Sequence, residues 1–202
     1  MQSHFAMILM LLVLLGCGPD PIAEGRKYRM EEIERVKLGS NHRLFCPPVD
    51  LLKSAAEDPA FIQNLREITL AGKFDRYSGI SLESFVNLER VCLADTKNTH
   101  SYLKALPSSI KILAFDRTDL TMWHRSTDSK YIESWLQTLT RFKTLETLFV
   151  NPWDNHMTPI AAEILPELQE LKKVELEWAD EEDVSILKEA LPNCHIRRVA
   201  EH

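Results

Sequence analysis

From residue 65 to the end of the chain, apolar and polar positions follow one short phrase, apolar-x-x-apolar-x-apolar. It reads Leu65-Arg-Glu-Ile68-Thr-Leu70, Leu88-Glu-Arg-Val91-Cys-Leu93, Ile110-Lys-Ile-Leu113-Ala-Phe115, Leu145-Glu-Thr-Leu148-Phe-Val150 and Leu171-Lys-Lys-Val174-Glu-Leu176. Successive phrases start 23, 22, 35 and 26 positions apart, and a degenerate sixth is expected at Cys194 to Val199, 23 positions after the fifth. The alternation that ends each phrase predicts a short strand with the fourth and sixth positions on one face. The stretches between carry their own apolar residues, such as Ile132, Trp135, Leu136 and Leu139, or Ile160, Ile164 and Leu165. One strand-and-return unit cannot bury its inner face alone. The periodicity therefore predicts stacked units with parallel strands about 4.8 Å apart.

Ahead of the repeats, Met30, Ile33, Val36 and Leu38 recur at helical spacing, and Gly39-Ser40-Asn41 breaks the pattern. A short strand is expected within 42–46, stopped by Pro47-Pro48, then a helix through Ala56 and another from Asp58-Pro59 through Asn64. A stack must cover the apolar end of its first unit, and residues 30–64 are read as that amino-terminal cap. The division expected is 1–16 leader, 17–29 flexible tether, 30–64 cap and 65–202 repeats with their terminal cap.

Leu106-Pro-Ser-Ser-Ile110-Lys-Ile-Leu113 and Leu191-Pro-Asn-Cys194-His-Ile196 resemble leucine-rich repeats of the bacterial type, and the likeness covers about residues 65–199. It implies an α/β solenoid with short parallel strands on a concave side and helices or irregular returns on the other. One feature departs from the family: its Asn or Cys three positions past the third apolar residue is replaced by Lys73, Thr96, Thr118, Trp153 and Ala179. The repeats are therefore expected to be irregular and the horseshoe shallow. The rival is an ordinary α/β domain with a parallel sheet.

The resemblance places the residues between the apolar positions on the concave side. One row runs Thr69, Cys92, Ala114, Phe149, Glu175, and another Glu67, Arg90, Ile112, Thr147, Lys173. Asp95, Asp116, Arg117, Asn151, Trp153 and Trp178 lie past the strands. An apolar patch rimmed by charge has the composition of a protein-binding hot spot. The partner-binding candidates are Arg90, Cys92, Ile112, Asp116, Arg117, Phe149, Trp153 and Trp178. Trp123 joins them from the long third interval, where an inserted loop is expected.

Phe5 to Leu15 is an uninterrupted apolar run, too short to span a bilayer comfortably but right for a signal peptide. Leu14-Leu15-Gly16-Cys17 resembles the lipobox of bacterial lipoproteins, although Met1-Gln2-Ser3-His4 lacks Lys and Arg. The resemblance implies lipidation of Cys17, and Gly18 in the next position implies the outer membrane over the inner. A secretory signal without lipid and a buried amino-terminal helix are the alternatives.

Composition narrows the partner. The 202 residues, 45% hydrophobic, support one sizeable core, and a net charge of −6 argues against nucleic acid. No catalytic motif or metal-ligand spacing occurs, so neither catalysis, cofactor nor metal is expected. Asp180-Glu181-Glu182-Asp183 is read as the first turn of a helix, since it lacks the spacing and glycine of a calcium loop. Cys46, Cys92 and Cys194 lie on strands too distant for disulfides. The expectation is a lipid-anchored protein-binding module of the bacterial envelope. The alternatives are a periplasmic inhibitor or immunity lipoprotein and an envelope hydrolase using His124 and Asp128.

Overall fold

A computed structural model describes residues 21–71, 81–96, 99–118 and 128–199. The expected leader with Cys17, the residue at position 73 and the inserted loop with His124 and Trp123 lie outside the described residues. Seven α-helices and seven strands are present among those described. In chain order they are α1 (Pro21–Lys37), β1 (Arg43–Phe45), α2 (Val49–Ala55), α3 (Pro59–Asn64), β2 (Glu67–Ala71), β3 (Arg90–Ala94) and α4 (Thr99–Ala105). There follow β4 (Ile112–Asp116), α5 (Ser129–Leu139), β5 (Thr147–Asn151), α6 (Met157–Ile164), β6 (Lys173–Glu177), α7 (Glu181–Ala190) and β7 (His195–Val199). None of the described helices is long and apolar enough to cross a membrane.

The strands form one wholly parallel sheet in chain order, β1 to β7. Each phrase supplies one strand, and the phrases align in register: Ile68, Val91, Leu113, Leu148, Val174 and Ile196 stand side by side. Their inward side chains are fully or nearly buried, as are Leu70, Leu93, Phe115, Val150 and Leu176 one turn of the pleat later. The returns close over this face. Trp135 and Phe115 pack edge to face at 5.6 Å, and Phe61 and Phe85 do the same at 5.9 Å. Helices α4 to α7 pack on one another in chain order, as do the strands they connect. A single core results.

Local sequence explains the helix ends. Asp58 and Asp128 are N-caps whose carboxylates accept from the amides two and three residues on, and Asp180 and Asp183 form a reciprocal capping box on α7. Gly39 ends α1 at φ +69, where its amide and that of Ser40 bond back to Val36 and Arg35.

Three expectations need correction. Helix α1 begins at Pro21, so the tether expected over 17–29 is helical from there. Only Ile33 and Val36 of its apolar set face inward, while Met30 and Leu38 are exposed. The strand expected within 42–46 is present as β1, and it pairs Arg43 to Glu67, extending the sheet by a strand. The last copy begins one residue early, at Asn193: Ile196 takes the buried place beside Val174, and Arg198 falls where the sixth apolar residue would be.

Candidate functional site

Period-two geometry sends alternate side chains to opposite faces, and the face away from the helices carries three cross-strand rows. The first runs Arg43, Glu67, Arg90, Ile112, Thr147, Lys173, His195; the second runs Phe45, Thr69, Cys92, Ala114, Phe149, Glu175, Arg197. The third, at the strand exits, holds Ala71, Ala94, Asp116, Asn151, Glu177 and Val199. The expected assignments of the inner five strands hold residue for residue. The outer strands add Arg43, Phe45, His195 and Arg197, which the phrase alone did not show.

The centre of this open face is apolar and half-buried: Cys92, Ala114 and Phe149, with Ile112 beside them. On either side sits a carboxylate between two cations. Glu67 lies 3.0 Å from Arg43 and 3.8 Å from Arg90, and Glu175 lies 3.1 Å from Lys173 and 3.8 Å from Arg197. A further ladder crosses the strand entries: Glu89 lies 3.9 Å from Arg66 and 2.9 Å from Lys111, and Glu146 lies 3.3 Å from Lys172. Hydrogen bonding from Lys111 holds the Glu89 carboxyl below its usual value, against a smaller opposing effect of desolvation.

The strand exits are built differently. Cys46, Asp95, Arg117 and Trp178, each one residue past a strand, adopt left-handed backbone (φ 44, 50, 51 and 72). The amides of Cys46, Asp95 and Arg117 still reach the neighbouring strand at 2.8, 2.8 and 2.6 Å, so the bend does not orphan them. After β5 the chain turns at a cis Asn151–Pro152 bond. Thr96, Thr118, Trp153 and Ala179, where an Asn or Cys ladder was absent from the sequence, are all buried. Thr96 and Thr99 share a hydroxyl hydrogen bond of 2.9 Å. Trp153 Nε1 donates to Thr158 Oγ1 at 2.9 Å, and Thr158 Oγ1 donates to the buried Asp183 carboxylate. These hydroxyls and Asp183 supply local partners at the exits in place of a repeated amide.

That network corrects one candidate. Trp153 is only 4% exposed and cannot offer its indole to a partner. Trp178, by contrast, is 58% exposed and borders an acidic cleft of about 280 Å³ with Asp154 and Asp180. Arg90 and Arg117 are exposed, and Arg117 pairs with Asp95 at 3.1 Å. Asp116 accepts from Asn151 Nδ2 at 2.8 Å. Asp128, considered for a hydrolase, is occupied as the α5 cap.

The three described cysteines are free. Burial is the main reason the Cys92 thiol is pushed up to about 11, with Asp116, Cys46 and Glu67 adding to it, and burial alone does the same for Cys194. No group of three or more His, Cys, Asp or Glu capable of holding a metal occurs among the described residues. No protein-family model matches the chain, and no curated protein does either.

Proposed function

We propose that this chain is a lipid-anchored leucine-rich repeat protein of a bacterial envelope, and that it binds a protein partner through the open strand face. The observation that carries the reading is the in-register stacking. Repeating phrases bring Cys92, Ile112, Ala114 and Phe149, distant in sequence, into one apolar strip with ion clusters at both ends. A preformed apolar centre with a charged rim is the arrangement by which protein interfaces exclude water from a few anchoring contacts. The strip sits on rigid elements, so little ordering entropy opposes binding. The repeat phrase and its 22–26-residue spacing, interrupted once by 35, support the leucine-rich repeat assignment.

The anchor comes from Cys17 and the apolar run before it, and several acyl chains would make attachment stable. A photo-reactive residue replacing Phe149 in intact envelopes tests the face. Crosslinking to a discrete protein band, absent when the same residue replaces exposed Ser185, is expected. Equal background at both positions would refute the open-face site. In the same cells, Cys17→Ala should abolish lipid labelling and release the chain from membranes; persistent labelling would refute the anchor.

A further inference from the structure

We infer that the partner is a polypeptide segment with acidic residues on both sides of an apolar core, laid across the strands of the open face. The inference rests on the open-face reading and adds the chemistry of the segment. In the entry row, Arg90 and Lys173 flank Ile112 and Thr147, and Cys92, Ala114 and Phe149 lie in the adjoining row. The two cations are three strand spacings apart, about 14 Å. That span corresponds to about three turns of helix or about four extended residues.

Both cations retain capacity for a further acceptor. Arg90 lies 3.8 Å from Glu67, outside hydrogen-bond distance, with 46% of its side chain exposed; Lys173 has one close carboxylate, Glu175, and is 38% exposed. The surrounding charge points the same way. Across the strand-entry positions 66, 89, 111, 146 and 172 and the first open row, six Lys or Arg face three Glu, on a molecule of net charge −6. The strand exits carry Asp95, Asp116 and Glu177 instead, with Arg117 already paired to Asp95 and Asp116. An acidic partner is thus steered to the entry side, where its apolar residues meet Ile112 and Phe149. The apolar floor between the cations selects a polypeptide, because it pairs carboxylates with aliphatic or aromatic side chains at this spacing.

A random 16-residue peptide library displayed on phage, panned on the full chain in detergent and counter-selected on Phe149→Glu, tests the inference. The expected clones carry Asp or Glu on both sides of an apolar core. Their affinity should fall about tenfold with Arg90→Glu or Lys173→Glu, and fall with rising salt. Arg90→Gln and Lys173→Gln, which remove charge without adding repulsion beside Glu67 or Glu175, should weaken binding less, and circular dichroism checks that every variant is folded. Phe149-dependent clones with neutral or basic flanks, or clones indifferent to both charge changes, would overturn the acidic-segment inference and leave the open-face site standing. A selection yielding no Phe149-dependent clone would overturn both.

Discussion

Cys92 sits beside Ala114 in the second row of the open face, yet its environment protects the thiol from reaction. Desolvation and the neighbouring carboxylates push it up to about 11, and the reactive species is the thiolate. At pH 8 only about one molecule in a thousand carries it. Site-resolved iodoacetamide labelling should therefore give a Cys92 rate that still rises about tenfold per unit at pH 10; levelling near pH 9 would contradict the burial argument. The two tryptophans past the strands show what a residue's sequence position conceals. Trp153 and Trp178 both follow strand ends, but Trp153 is three places past the last apolar position of its phrase and turns inward to Thr158, while Trp178 is two places past and stays outside on left-handed backbone. The phrase fixes which strand residues alternate. It does not say where the exit bend reverses that alternation.

At the level of the strand, in-register parallel stacking forces equivalent positions together at about 4.8 Å, so a repeated charge would repel itself at every step. The second position of the phrase answers this by alternating: Arg66, Glu89, Lys111, Glu146, Lys172. That alternation is legible in the sequence once the phrases are aligned, and it independently supports their register. Membership of β1 in the sheet is less legible in the sequence, because its segment offers only Leu44 to the core, without the flanking apolar positions. The last copy misleads by one residue for a related reason. Position six carries a charge, Arg198, because β7 is the outermost strand in the sheet order and only Ile196 need enter the core.

Glu89 gives the ladder a pH signature. Its folded value is lowered, so its contribution to stability is fully present above the ordinary 4.5 and is lost as pH falls through the lowered value. The side chain is 42% exposed, which screens the pair. Glu89→Gln should thus cost at most about 1 kcal/mol at pH 7, less in high salt. The difference from wild type in urea unfolding should close in acid, once pH has fallen through that lowered value. A gap that persisted there would mean the loss is one of packing rather than charge.

For the molecule as a whole, the sheet order makes position along the stack the main determinant of what a core residue supports. Every inner strand is paired on both sides, whereas among the described residues β7 pairs only with β6. Phe115 is fully buried in β4, packs edge to face on Trp135 and is held between β3 and β5. Truncating it opens a cavity that the neighbours on either side cannot close without breaking register. Phe115→Ala should therefore lower global stability by about 3–5 kcal/mol. Ile196 is the main inward contact of the terminal strand, and its loss can be met by release of β7 alone. Ile196→Ala should leave the main unfolding transition within about 1 kcal/mol of wild type. Its effect should instead appear as faster amide exchange confined to His195–Val199 and the adjoining end of α7. If exchange accelerated equally in β2 to β4, the stack would be unfolding as a single cooperative body, and the ends would be no looser than the middle.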